Sequence, residues 1–323
     1  MESDTDPVFY CPIRSAINPR VADAERYATQ WAREQHLIAA DDAWGVGPAR
    51  IGYLASYANP WGSWDALKIT VEWLDWLMVY DDAIVDKRIN VSKLDEPTIR
   101  RLHARVIDIL RGSAVTAGEE PLLRAVGAIR QSIVRLCPDW DMAEFIAGFG
   151  HYLQSNLWEA TNIWSAQPAH LSAYTNMRRH TGCLFPTYRL GAAICGIFPG
   201  PEVCEHVAIQ QLEIMANNYT CWLNDVYSYE RELRDGQVNN LVAVLRREFE
   251  CDTREAADRA VGMCRIEMDS YLELKDRLPL LGVTVDPVLE AYLDVVESWI
   301  RALFDWHKMT GRYRVPSQAA TSS

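Results

Sequence analysis

Several features that mark common protein classes are missing from this 323-residue chain. Strand-like alternation of apolar and polar residues is scarce, and no Gly/Ser-rich linker, low-complexity block or internal repeat divides the sequence. No uninterrupted apolar run is long enough to span a bilayer. The eight cysteines form no CxxC pair and the seven histidines are dispersed, which argues against a disulfide scaffold and a zinc site. We therefore expect reduced cysteines that lie mostly in the core.

Basic residues are outnumbered by acidic ones, with 32 Lys and Arg against 44 Asp and Glu. The formal net charge of −12 argues against nucleic acid or an anionic membrane as a stable partner. It does not argue against an anionic substrate, because bound Mg²⁺ would reverse the sign of the field locally. Residues 1–19 carry acids and prolines rather than a basic region followed by an apolar core. The sequence therefore predicts a cytoplasmic location without a secretory signal, and it leaves a homodimer open.

Helical periodicity, by contrast, runs through most of the chain. The sequence predicts an all-α fold, a single-domain helical bundle over residues 1–323. An N-terminal arm of about residues 1–19 precedes the first helix, and a C-terminal tail at about 316–323 is predicted to be disordered. The aromatic residues from Phe145 to Trp158 recur at helical spacing, a pattern more typical of core than of a cavity wall.

One polar stretch, Asn224 to Glu232, follows an apolar run and precedes a helix stop at Gly236. On a helix, Asn224, Ser228 and Glu232 fall at i, i+4 and i+8, so an amide oxygen, a hydroxyl and a carboxylate lie about 6 Å apart along one face. Such oxygen ligands suit Mg²⁺, which commonly shares its remaining positions with water and a substrate phosphate. A solvated helix face is the alternative interpretation.

A second acidic cluster, Asp81, Asp82 and Asp86, ends an apolar run that begins at Val71. Like charges this close repel each other, and burying them beside Trp and Leu costs still more free energy. A bound cation would remove both problems. The alternative is a helix C-terminus that frays into solvent, where acidic residues are a poor choice because the helix dipole is already negative there.

With both stretches in view, the chain resembles the class I terpene synthases of the bacterial type. Residues 81–86 match that family's aspartate-rich metal motif in its longer DDxxxD form. Residues 224–232 match its NDxxSxxxE motif, including a basic residue, Arg231, just before the last Glu. The other matches are Arg178, Thr181 and Gly182, similar to the family's diphosphate-sensing arginine, linker and effector, and Arg312, Tyr313 and Trp306, similar to its C-terminal Arg-Tyr pair and the preceding aromatic.

The resemblance implies a helical bundle around an apolar cavity, in which three Mg²⁺ ions bind the diphosphate of a linear isoprenyl substrate. The implied metal ligands are Asp81, Asp82, Asp86, Asn224, Ser228 and Glu232. The implied diphosphate and substrate contacts are Arg178, Asn224, Arg312, Tyr313, Trp306, Leu77 and Met78. The resemblance further implies that the Gly182 carbonyl oxygen helps to trigger ionisation, after which the carbocation cyclises to a terpene hydrocarbon or alcohol.

Substrate length is the least determined part of this expectation. Farnesyl diphosphate is favoured, because it is the common substrate of bacterial relatives of this length. Leu74, Leu77 and Met78 stand where many relatives place Phe, and this departure leaves geranylgeranyl diphosphate as an alternative. The product cannot be inferred from the sequence.

Three other functions compete with the cyclase. A chain-elongating prenyltransferase of the same fold carries two aspartate-rich motifs, whereas the second motif here is Asn-Ser-Glu. A non-catalytic diphosphate-binding or scaffolding protein does not require the intact ligand set. A Mg²⁺ phosphatase of small phosphates predicts a polar pocket, against the Trp- and Tyr-rich helices of this chain.

The pair Gly182 and Pro186 predicts a break in the surrounding helix. Proline at 186 has no N–H to donate to the Gly182 carbonyl, and its ring pushes that carbonyl out of line. Glycine allows the backbone to bend there without a Cβ clash. We expect the freed carbonyl oxygen to be directed into the cavity.

Overall fold

The computed structural model describes residues 8–38, 49–82, 95–165 and 169–313. These residues form helices and no strand, so the all-α prediction is confirmed. The α-helices are α1 (Val21–Glu34), α2 (Ile51–Ala58), α3 (Trp64–Tyr80), α4 (Glu96–Leu110), α5 (Pro121–Leu136), α6 (Ala143–Ser165), α7 (Leu171–Thr181), α8 (Leu184–Ile194), α9 (Pro201–Cys204), α10 (Val207–Arg234), α11 (Leu241–Glu248), α12 (Thr253–Asp276) and α13 (Pro287–Met309). A 3₁₀ turn, Leu278–Leu281, follows α12. Over the described ranges, no helix is both long and apolar enough to cross a membrane.

Side chains at the N-termini explain where several helices begin. Ser63 accepts a hydrogen bond from the Ala66 N–H at the start of α3, at 3.2 Å. Asp95, Asp252 and Asp286 cap α4, α12 and α13 in the same way. Each such cap satisfies a backbone donor that the helix cannot pair internally, and it contributes about 1 kcal/mol.

An aromatic cluster between α3 and α6 forms part of the core. The Trp73 ring lies 4.9 Å from that of Phe149 and 5.3 Å from that of Phe145, and both phenylalanines are fully buried. The α6 stripe is therefore core at these positions, as its spacing predicts. Tyr152, one turn further on, reaches the wall of the central cavity.

The N-terminal arm lies across α10 and α13. The Phe9 ring stacks on that of Tyr227 at 5.6 Å, and the Tyr219 hydroxyl donates to the Tyr10 carbonyl at 3.0 Å. The Arg301 guanidinium of α13 donates to the Ile13 carbonyl at 3.0 Å. These contacts fix the arm beside the helix that carries the Asn-Ser-Glu row. The expected tail at 316–323 lies outside the described residues.

Candidate active site

A cavity of about 190 Å³ opens among α3, α6, α7, α8, α10 and α13. Its deeper wall is apolar, and its mouth carries charged and amide side chains. The apolar lining includes Leu54, Leu74, Leu77, Met78, Leu184, Trp299, Leu303 and Trp306. The polar lining includes Asp81, Glu159, Arg178, Asn224, Arg231, Glu232, Arg312 and Tyr313. An apolar pocket with polar groups converging at one end suits a ligand with a hydrocarbon tail and an anionic head.

The Asn-Ser-Glu row lies on α10, as its spacing predicts. Asn224 and Glu232 line the cavity. Ser228 is fully buried, and its Oγ has no hydrogen-bond partner among the described residues. The Glu232 Oε2 accepts a hydrogen bond from Asn240 at 2.8 Å. A buried hydroxyl without a partner, between an amide and a carboxylate, is the arrangement expected of a ligand set that fits a hard cation.

The acidic cluster of Asp81, Asp82 and Asp86 begins where α3 ends. Asp81 lines the cavity. Asp82 instead accepts two hydrogen bonds from the Arg312 guanidinium, at 2.7 and 3.0 Å, and a further one from Arg231 at 3.3 Å. The carboxylate of Asp82 is thus neutralised by two arginines. Asp86, the third expected ligand, lies outside the described residues.

Arg178 is held at the cavity wall by three hydrogen bonds. Its guanidinium donates to Asp225 at 2.9 Å, to the Thr181 hydroxyl at 3.1 Å and to the Asn224 Oδ1 at 3.0 Å. Asp225 is almost completely buried and also accepts from the Tyr174 hydroxyl at 2.6 Å. The paired Asp225 therefore orients Arg178, a role that was not predicted from the sequence. The signal available for it was the second position of the NDxxSxxxE motif.

The predicted helix break is confirmed between α7 and α8. The residue with left-handed backbone is Cys183, with φ of 57°, and Gly182 has an ordinary φ of −77°. Pro186 lies in the first turn of α8, where a missing N–H costs no helical hydrogen bond. Glycine is required at 182 by packing instead, because a Cβ there would lie 2.3 Å from the Cys221 Sγ of α10. Gly182 lines the cavity; the direction of its carbonyl oxygen stays a prediction.

A histidine that the sequence analysis missed fixes the amide of Asn224. The Nδ2 of Asn224 donates to the Tyr313 hydroxyl at 2.8 Å and lies 3.1 Å from the His307 Nε2. The His307 Nδ1 lies 2.6 Å from the Leu303 carbonyl, so Nδ1 carries the proton and Nε2 accepts. Burial lowers the pKa of His307 to about 4, which keeps the ring neutral. The Asn224 amide oxygen is therefore left to face Arg178 and the cavity.

The structure adds a carboxyl group that no motif indicated. Glu159 of α6 lines the cavity and is buried. Burial raises the pKa of Glu159 to about 8, and the nearby Asp81 raises it as well, whereas Arg178 and Thr181 lower it. At neutral pH this raised pKa favours the uncharged form of the Glu159 carboxyl. The only signal in the sequence was the position of this acidic residue among the apolar residues of a helix.

Trp306 is fully buried in the cavity wall. Its Nε1 donates to the Ala49 carbonyl at 2.6 Å, which anchors the indole. The ring meets that of Tyr313 edge to face at 5.9 Å. Leu77 and Met78 are likewise cavity-lining residues, in the last turn of α3 before the aspartates. Both C-terminal aromatics, Trp306 and Tyr313, therefore line the same cavity as Leu77 and Met78.

Comparison with known proteins identifies the family. Residues 72–270 match the family model described as terpene synthase family 2, C-terminal metal binding. The chain belongs to terpene synthase family 2. It is a class I terpene synthase, a diphosphate lyase and terpene cyclase, and its matched region includes both metal motifs.

Relatives and solved structures agree with this assignment. The chain is 28% identical to a (+)-T-muurolol synthase of Roseiflexus castenholzii, over 97% of this chain and 95% of the relative. It is 29% identical to the pentalenene synthase of Streptomyces exfoliatus, over 97% and 94%. The linalool/nerolidol synthase of Streptomyces clavuligerus superposes with a TM-score of 0.80 at 19% identity, over 95% of this chain and 100% of that structure. The last comparison supports the fold alone.

Proposed function

We propose that this terpene synthase is a Mg²⁺-dependent sesquiterpene cyclase that acts on farnesyl diphosphate. The observation that carries the proposal is a cavity whose mouth joins Asn224 and Glu232 of the Asn-Ser-Glu row to Arg178, Arg231 and Arg312, and whose remaining lining is largely apolar and aromatic. Among its relatives, the (+)-T-muurolol synthase of Roseiflexus castenholzii carries farnesyl diphosphate in its name. The product is a cyclic hydrocarbon or alcohol formed with release of diphosphate.

Three Mg²⁺ ions are proposed at the mouth. Asn224, Ser228 and Glu232 would hold one ion, and Asp81 with Asp86 would hold the others. When bound, the ions supply charge stabilisation for the departing diphosphate. The unpartnered Ser228 oxygen supports this assignment, because a buried hydroxyl without a partner costs about 1–3 kcal/mol unless a ligand uses it.

The chain's own contribution at the mouth is a set of donors aimed at the diphosphate. Arg178 and Arg312 carry planar guanidinium groups that can donate two parallel hydrogen bonds to phosphate oxygens. Both are largely buried, with side chains 12% and 11% exposed. Donors already fixed in a poorly solvated site stabilise developing negative charge more strongly than donors in water. Tyr313 adds a hydroxyl beside them.

The deeper wall then protects and folds the carbocation. Trp306 and Tyr152 line this wall, and aromatic rings attract positive charge at their faces. The apolar side chains around them exclude water, which would otherwise quench the cation before cyclisation. Leu77 and Met78 complete this wall in the last turn of α3.

The test is turnover of purified full-length protein with ten-, fifteen- and twenty-carbon isoprenyl diphosphates, with and without Mg²⁺. Diphosphate release and volatile products are measured together. We expect Mg²⁺-dependent release, fastest with farnesyl diphosphate. Release without any terpene product, or fastest turnover of another chain length, would refute the proposal.

Paired variants locate the activity. Glu232→Ala and Asn224→Ala should each abolish turnover while the helix content is retained. Glu230→Ala removes an exposed carboxylate two residues away on the same helix, and it should leave turnover unchanged. Equal activity of Glu232→Ala and Glu230→Ala would exclude the metal assignment.

A further inference from the structure

A second cavity lies behind the active site. It has a volume of about 330 Å³ and is formed by the α2–α3 connection, the end of α8 and the first half of α13. We call it the rear cavity; its lining includes Ala58, Thr70, Gly191, Ile194, Val295 and Trp299. Its outer rim is open to solvent, since Trp61 is 73% exposed.

The two cavities follow one another along the same helices. On α13, Val295 borders the rear cavity, and Leu303, two turns later, borders the active-site cavity. On α8 the order is reversed, because Thr187 lines the active-site cavity and Gly191 the rear cavity. Because α8 and α13 each pass from one cavity to the other, the cavities are stacked end to end.

Helix α3 gives the distance scale of this stack. Thr70 lines the rear cavity, whereas Leu74 lines the active-site cavity and Asp81 stands at the active-site mouth. At a rise of about 1.5 Å per residue, Thr70 lies about 16 Å along the helix axis from Asp81. The rear cavity is therefore at the far end from the diphosphate, where the end of a hydrocarbon chain would lie.

Trp299 separates the two cavities. Among the described lining residues, it is the one common to both. Its side chain is buried and lies beside Val295 against α8 at Gly191, where a Cβ would lie 3.1 Å from the Val295 Cγ1 and 3.3 Å from the Trp299 Nε1. Glycine at 191 thus lets the indole reach the backbone of α8, where it forms the floor of the active-site cavity.

We propose that Trp299 is the specificity-determining residue that limits the depth of the active site and excludes the twenty-carbon substrate. This inference rests on the proposed cyclase activity. An additional isoprene unit would need to occupy the space of the indole. The rear cavity offers apolar side chains, Ile194 and Val295 among them, that could bury such a unit once the indole is removed.

The experiment measures binding, so that it does not depend on turnover. Non-cleavable thio-diphosphate analogues of the fifteen- and twenty-carbon substrates are titrated into the full chain with Mg²⁺ by calorimetry. In Trp299→Ala, we expect the ratio of twenty- to fifteen-carbon association constants to rise at least about tenfold over wild type, because the extra unit gains apolar burial. Trp299→Leu retains more packing than Trp299→Ala, and the ratio of association constants should rise in this variant as well. Val295→Ala enlarges only the rear cavity and should leave the ratio unchanged.

The outcomes separate this inference from the proposed function. A wild-type chain that binds the fifteen-carbon analogue, with an unchanged ratio in both Trp299 variants, overturns the inference alone. A rise of the same size in Val295→Ala also overturns it, because the floor would then not be the limiting element. A wild-type chain that binds neither analogue overturns the proposed function and this inference with it.

Discussion

Replacing Ser228 by alanine should make the free protein more stable and its ligand-bound form less so. Ser228 Oγ is fully buried and has no hydrogen-bond partner among the described residues. Burying a hydroxyl without a partner costs about 1–3 kcal/mol, and alanine is also the better helix former. We expect Ser228→Ala to raise the free energy of unfolding by about 1 kcal/mol, or the Tm by about 2 °C in a chain of this size.

The ligand response of the same variant should move in the opposite direction. Ligands that bind only the native state raise its apparent stability in proportion to the logarithm of ligand concentration over Kd. Mg²⁺ with inorganic pyrophosphate should therefore raise the Tm of the wild type and raise that of Ser228→Ala much less. Thermal unfolding with and without these ligands measures both effects in one series.

Ser56 provides a matched control. It is also fully buried, but its hydroxyl donates to the Gly52 carbonyl at 2.7 Å. Ser56→Ala should lower the free energy of unfolding by about 1 kcal/mol and keep the full ligand response. The reasoning is refuted if Ser228→Ala destabilises the free protein as Ser56→Ala does, or if its ligand response is undiminished.

Three further changes test the structure. Asp75 of α3 is fully buried without a hydrogen-bond partner among the described residues, and its pKa is raised well above the usual value by burial and, to a smaller extent, by the charges of Glu25 and Glu72. Because the unfolded chain loses this proton above about pH 4 while the folded chain keeps it, the free energy of unfolding of the wild type falls as pH rises. Denaturant unfolding should therefore show a larger stability gain from Asp75→Asn at about pH 8 than at about pH 5. Gly182→Ala should lower the free energy of unfolding by about 1–3 kcal/mol through the clash with Cys221, and the double variant with Cys221→Ala should recover part of it. Trp306→Leu should shift the product mixture towards early-terminated hydrocarbons, because about 2 kcal/mol of cation–π attraction is lost, whereas Trp306→Phe should shift it less.

Each of these expectations has a clear contrary result. A stability difference between Asp75→Asn and wild type that is independent of pH would show that the carboxyl is charged in the folded state. Additive effects of Gly182→Ala and Cys221→Ala would show that the two side chains do not clash. Identical product ratios in Trp306→Leu and wild type would remove the indole from the carbocation path.

Most of the fold could be predicted because its determinants are local. The 3.6-residue period and the helix stop at Gly236, which has a φ of 74°, are both visible in the sequence. The α6 stripe was also predicted as core, but its spacing could not show that Tyr152 faces the cavity while Phe149 does not. That distinction depends on which neighbouring helix lies opposite, which is a property of the assembled bundle.

The interactions within the site could be predicted less well, because they join residues far apart in the chain. The motifs indicated Arg178 and Asn224 as separate ligand groups, yet the structure shows that they bond each other. His307 carries no motif of its own, and its role follows only from its contact with Asn224. Pro186 gave the right location for the helix break, but the reason for glycine at 182 was different from the predicted one, since the Cβ clash there comes from Cys221 of α10.

The same contacts explain how an acidic cluster and an arginine cluster coexist at one buried mouth. Arg312 neutralises Asp82, and Arg178 donates to the Asn224 amide oxygen, so each proposed diphosphate donor is paired with a side chain of a proposed metal motif. A free carboxylate or guanidinium at this depth would carry a desolvation cost of several kcal/mol. A metal diphosphate removes that need by supplying both charges at once, a cation to the acids and an anion to the arginines. A metal ion that bound alone would leave the arginines without their partners, and a diphosphate that bound alone would leave the acidic and amide groups without theirs. Metal and diphosphate should therefore bind this site together.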